Sequence, residues 1–291
     1  MRLDNSRESR NIEDRRGQRM RIGGRGKIGI GTIILALVAM YFGIDPDIVL
    51  QGGLDGSGSG YTTTQQVPAD ATTAAPPPTP ESRFVAKVLG DTEDAWAAIF
   101  QEKGWGAYRE PKLVLFDGAT PTACGTGMSA MGPFYCPGDS KVYLDLSFFQ
   151  QMARELDSPG DFAQAYVVAH EVAHHVQHLL GITDQVAQAR QRNSAAANQL
   201  SVRVELQADC LAGVWARHSD TQRNTLEEGD IEEGLNAASA IGDDRLQKRS
   251  QGYVVPDSFT HGSSAQRVRW FSRGWRSGDP AQCDTFAASS L

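Results

Sequence analysis

Apolar and polar positions follow two different periods along this chain, and the places where the period changes mark out its elements. From Arg83 the stretch RFVAKVLGDTEDAWAAIFQEKG spaces its apolar residues three and four apart, which predicts one or two helices. KLVLF (residues 112–116) and KVYLDL (residues 141–146) read as strands, and GPFYCPGD between them supplies a third short strand and a turn. Helical spacing then returns over residues 161–180, through a polar segment near 183–197, over 200–217 and over 230–249. Asp230 and Glu233 are spaced like a capping box at the start of the fourth of these. GSSAQRVRWF opens a last helix, capped by Ser263 or Ser264. The expectation is an α+β domain over residues 83–291, with a small sheet and a mostly helical C-terminal part.

The N-terminal part has another character. IGIGTIILALVAMYFGI, residues 28–44, holds no ionisable group except Tyr41. As a helix its length is roughly 26 Å at 1.5 Å per residue, close to the roughly 30 Å of a bilayer core. One transmembrane helix is expected there, retained as an anchor because MYFGIDP offers no small-residue cleavage site. Residues 45–82, rich in Gly, Ser, Thr, Ala and Pro, carry too little apolar surface to order themselves and read as a linker.

Charge sets the expected orientation. Residues 1–27 hold nine Arg and Lys against four Asp and Glu, whereas residues 84–291 hold 18 against 26. The basic charge is therefore a topogenic tail and not a nucleic-acid footprint. Arg15, Arg16, Arg19, Arg21, Arg25 and Lys27 precede the apolar run, so the tail is expected in the cytoplasm and the domain outside it. Cys124, Cys136, Cys210 and Cys283 agree with an oxidising compartment. Of the three possible pairings, Cys124 with Cys136 and Cys210 with Cys283 is favoured, the first closing a local loop and the second tying a central helix to the C-terminal tail.

The chemistry concentrates in HEVAH, residues 170–174. On a helix, His170 and His174 lie one turn apart and present their imidazoles to one point. Glu171 is turned about 100° from the first histidine, within reach of a water on a metal held there but not of the metal itself. Two histidines and a third protein ligand hold zinc with one open position, where water is acidified to a pKa near 7. The third ligand is sought in VRVELQADCLAG, where Glu205 would complete the set. Asp209, one turn later in the same apolar helix, would accept the outer N–H of a ligand histidine. The metzincin alternative is excluded, because Gln177 and Leu180 stand where that pattern needs Gly and His. His178 is four residues after His174, but His175 then occupies the place of the base, so His178 is read as a surface or supporting residue. His261, on a late loop before a helix, is the candidate donor to a developing oxyanion, with Tyr253 as the alternative. An exposed sheet edge beside the metal could take an extended peptide as an added strand.

Four blocks in order, CGTGMSAMGPFYCPGDSKVYLDLSFF, HEVAHHVQ, ELQADCLAG and HGSSAQRVRWF, resemble the bacterial membrane-anchored neutral zinc metallopeptidase family. The resemblance implies a zincin fold, Zn²⁺ on His170, His174 and Glu205, Glu171 as base, and hydrolysis of peptide bonds in a protein or peptide substrate. The alternative is a non-catalytic extracytoplasmic binding or scaffold module whose zinc stabilises the fold. It would call for a closed site with four protein ligands.

Overall fold

The computed structural model describes residues 1–4, 6–18 and 76–291, and the expected membrane run 28–44 lies outside them. Among the described residues no helix is long and apolar enough to cross a membrane. The described residues form six strands and eight helices. The strands are β1 (Ile12–Asp14), β2 (Lys112–Leu115), β3 (Ala119–Thr122), β4 (Gly125–Met128), β5 (Phe134–Cys136) and β6 (Lys141–Leu144). The helices are α1 (Pro80–Lys103), α2 (Ser147–Glu155), α3 (Asp161–Leu179), α4 (Ile182–Arg192), α5 (Ala197–Arg223), α6 (Asp230–Ala240), α7 (Asp243–Gln251) and α8 (Ser264–Ser277). The class is α+β, as the patterning predicts.

The main sheet runs in the order β1-β2-β6-β5, parallel across its first three strands and antiparallel between β6 and β5. Successive side chains of a strand face opposite ways. Leu113, Leu115, Val142 and Leu144 accordingly enter the helical core, while Val114, Phe116 and Tyr143 form a small cluster with Cys136. β3 and β4 make a separate hairpin, and the Cys124–Cys136 disulfide ties its turn to β5. The other bridge joins Cys210 on α5 to Cys283. Both favoured pairings are present.

Two expectations need correction. The helix expected over 230–249 is two helices broken at Ile241 and Gly242. A Cβ on Gly242 would sit 2.4 Å from the backbone nitrogen of Ser264, so the chain must turn there to admit the start of α8. Asp230 is likewise not the cap of α6, which is Gly229. The Glu233 carboxylate instead accepts the Phe162 N–H at the start of α3 (3.1 Å). At α8 the expected cap holds, with Ser263 and Gln266 forming a reciprocal capping box.

The second correction concerns residues 1–27. The first eighteen belong to the same compact unit as the C-terminal part and are not a separate tail. β1 is a strand of the main sheet, and Met1 and Leu3 enter the core.

The helices that carry the candidate site are fixed by backbone contact. A Cβ on Gly213 of α5 would lie 2.2 Å from the Phe271 carbonyl oxygen, and one on Gly274 of α8 would lie 1.8 Å from that of Cys210. Only glycine permits the two helices to touch this closely. One consequence is that Asp209, one turn before Gly213, meets Arg267 of α8.

Candidate metal centre

α3 packs against β5, α1, α5 and α6, so nearly all of its circumference is covered and most of its residues are apolar. His170 and Glu171 are buried, and His174 is half-buried. The polar groups of this helix must therefore be satisfied inside the protein.

His170 Nε2 lies 3.2 Å from His174 Nε2 and 3.1 Å from Glu205 Oε2, and His174 Nε2 lies 3.6 Å from Glu205 Oε1. Four-coordinate zinc with ligands at 2.0–2.1 Å separates its donors by about 3.3 Å. The spacing fits.

The chemistry of the donors fits as well. His170 Nδ1 donates to Asp209 Oδ1 at 2.9 Å, and His174 Nδ1 donates to Gln177 Oε1 at 2.8 Å. In the neutral rings both Nε2 atoms then carry lone pairs, facing each other and a carboxylate. Three such donors pressed together call for positive charge among them, either a proton on one ring or a cation held by all three. Burial opposes an imidazolium at His170, yet its hydrogen bonds to Asp209 and Glu205 outweigh this and push the group up to about 10. Glu205 is held well below the usual carboxylate range: burial opposes ionisation, and the neighbouring histidines overcome it. A bound divalent ion would supply the same positive charge without the proton.

The surrounding groups orient the donors. Asp209 is fully buried and accepts from Tyr166 Oη (2.5 Å), from His170, and from Arg267 through Nε and Nη2 (2.9 Å each). The adjacent guanidinium and His170 keep this carboxylate ionised against the cost of burial, with its value below the ordinary one. Gln177 donates through Nε2 to the Val204 carbonyl (2.8 Å) and to Gln207 (3.0 Å), which fixes its oxygen toward His174. Burial raises the Glu171 carboxyl, with His174 and His170 opposing it. Glu171 is thus more basic than a surface glutamate.

His261 sits on the loop before α8, where Asp243 accepts backbone N–H groups from Thr260 (2.7 Å), His261 (2.7 Å) and Gly262 (3.0 Å). The same carboxylate takes the His261 Nδ1 proton at 3.2 Å. Burial acts to lower His261, but Asp243 and then Glu205 raise it overall. Its ring is half exposed and lies within electrostatic reach of the metal donors. Tyr253, the alternative, is 62% exposed.

His175 and His178 face the sheet. Arg109's carbonyl can only accept, so His175 Nε2 donates to it (2.6 Å); Tyr135 of β5 donates to His175 Nδ1 (3.0 Å), and His178 Nδ1 donates to Tyr135 (2.7 Å). This chain ties the edge strand β5 to the helix bearing the metal donors. Sequence reasoning located His170, Glu171, His174, Glu205 and Asp209 but missed Tyr166, Gln177, Asp243 and Arg267. The one readable signal was Gln177, three residues after His174 on the same helical face.

The model of the family described as "putative neutral zinc metallopeptidase" matches residues 1–286. The chain is similar to the Escherichia coli K12 protein YpfJ, 51% identical over 99% of this chain and 100% of that one. It is also similar to Mycobacterium tuberculosis H37Rv protein Rv2575, 42% identical over 87% of this chain and 86% of the relative. No solved structure matches it. Matched along nearly its whole length, first strand and candidate metal donors included, the chain belongs to the family described as "putative neutral zinc metallopeptidase".

Proposed function

We propose that this protein is a zinc-dependent endopeptidase of the zincin type, with His170, His174 and Glu205 as ligands. The observation that carries this reading is the convergence of two imidazole lone pairs and one carboxylate beside a buried, more basic Glu171. Bound zinc would acidify a water and polarise a peptide carbonyl. Glu171 takes the proton of the attacking water and delivers it to the departing nitrogen. Asp209 and Gln177 keep the outer ring nitrogens of His170 and His174 protonated, so their Nε2 atoms stay available as donors. His261, held by Asp243, donates a hydrogen bond to the oxygen on which charge develops.

An extended peptide is the substrate class that best fits the surroundings. β5 is the terminal strand of its sheet, packs against α3, and is fixed to it through Tyr135. A peptide added along β5 would lie against the helix that carries the HEVAH residues.

The test measures zinc content and casein cleavage for the wild type and Glu171→Gln. Equal zinc with cleavage lost supports the proposal. Cleavage by both proteins, or a wild type that binds no zinc, overturns it.

A further inference from the structure

Arg2, Arg7, Arg15 and Arg16, part of the basic segment that reads as topogenic in the sequence, are used by the fold. Arg15 pairs with Glu13 (2.6 Å), donates to Thr120 and to the Pro121 carbonyl (3.1 Å each), and lies over the Tyr143 ring. Arg16 pairs with Asp14 (2.6 Å), and Arg7 reaches Glu93 (2.8 Å) and Asp94 (2.7 Å) of α1. Arg2 donates through its side chain to the Leu226 carbonyl (2.8 Å).

The backbone of the same segment is bound along its length. Arg2 N–H donates to Thr225 (2.7 Å), Ser9 N–H to Ala86 (2.8 Å) and Arg15 N–H to Leu115 (2.8 Å), while the Leu113 N–H donates to Asn11 (2.8 Å). The approach to α1 is close: a Cβ on Gly90 would lie 2.6 Å from the Arg7 carbonyl oxygen. Glu93, 1% exposed, accepts at Oε1 from Ser9 (2.6 Å) and Asn11 (2.8 Å), while its Oε2 faces the Arg7 guanidinium (2.8 Å). The amino group of Met1 contacts Asp161 and Glu227 at 2.9 Å each and Asp230 at 3.3 Å. Asp161 is the first residue of α3, the helix that bears the metal donors.

A body joined by a sheet ladder, a buried carboxylate and core side chains cannot have a bilayer between its parts. A lipid core offers no partner for the β1–β2 hydrogen bonds or for Glu93. We infer that residues 1–18 and residues 76–291 occupy the same side of the membrane, and not opposite sides as the charge pattern suggests. Arg7, Arg15 and Arg16 act as structural ion pairs and not as a cytoplasmic retention signal. This inference is independent of catalysis.

The test places single cysteines in the full chain, at exposed Glu8 (Glu8→Cys) and exposed Gln101 (Gln101→Cys), and treats cells with a membrane-impermeant maleimide before and after lysis. The wild type, whose four cysteines are all disulfide-bonded, sets the background. Arg10→Cys and Ala281→Cys form a second pair should either of the first variants fail to accumulate. The expected result is that both members of a pair become labelled at the same step, either both on intact cells or both only after lysis. Labelling of one member on intact cells and of the other only after lysis would overturn the inference.

Discussion

Asp209 and Arg267 meet through two hydrogen bonds of 2.9 Å each, with both side chains excluded from solvent. The same carboxylate holds the outer nitrogen of His170, so the charge of Arg267 bears on the proposed metal centre through Asp209. Replacing Asp209 with asparagine leaves a guanidinium buried without its counter-charge. Loss of a partner that orients a ligand histidine lowers metal affinity by about 10–100-fold. Breaking a buried ion pair also costs about 3–5 kcal/mol of stability. Zinc competition against a chelator and thermal melting should show both effects for Asp209→Asn. Wild-type zinc affinity in a folded variant would contradict the role given to this residue.

His261 and Asp243 should affect turnover rather than zinc binding. For His261→Asn, loss of a transition-state donor predicts a kcat lower by about 10²–10³-fold. Zinc content should stay unchanged. The donor form is the imidazolium, whose pKa is raised by Asp243 and Glu205 against burial. Activity should therefore fall as pH rises through this raised value. Asp243→Asn should bring the fall to lower pH, which a kcat profile against pH would detect.

The amino group of Met1 predicts a pH dependence of stability. Burial acts to lower its pKa, but Asp161 and Glu227 raise it overall from 8.0 to about 10. A group whose pKa is raised by folding contributes stability that is complete below its unfolded value and is lost as pH rises through the folded one. Urea midpoints should drop between pH 8 and about 10. The double variant Asp161→Asn, Glu227→Gln should flatten that drop.

Gly274→Ala tests the contact that aligns α5 with α8. The new methyl would meet the Cys210 carbonyl oxygen at 1.8 Å, a backbone atom that cannot rotate aside. Overpacking a close contact costs about 1–3 kcal/mol, and more where the backbone must shift. Because Asp209 and Arg267 are placed by this crossing, zinc affinity should fall together with stability. An unchanged melting temperature would show that the helices separate without penalty.

The candidate site was legible wherever its logic is local. His170, Glu171 and His174 lie within one turn and a half of one helix, and Glu205 and Asp209 stand out as carboxylates in an apolar helix. The groups that were missed depend on tertiary contact. Arg267 in QRVRWF resembles any exposed helical charge until Gly213 and Gly274 bring it onto Asp209. Asp243 looks like an acidic residue at a helix start, which it is, but it also binds the loop that carries His261. The fold was legible on the same terms. β2, β6 and β5 were readable from their large apolar residues, whereas the β3–β4 hairpin (ATPT and GTGM) has almost none and β1 is three residues, Ile-Glu-Asp, with no periodicity to detect.

The placement of β1 also bears on the order of assembly. Ile12 pairs with Leu113, and Met1 contacts Asp230, so these N-terminal residues must wait for partners made much later. Contacts this distant in sequence require large loops to close before they return any energy, which slows folding. The sheet is therefore completed late, and until then the β2 backbone is an unpaired edge open to the wrong strand. Aggregation during synthesis is the particular hazard that this architecture carries.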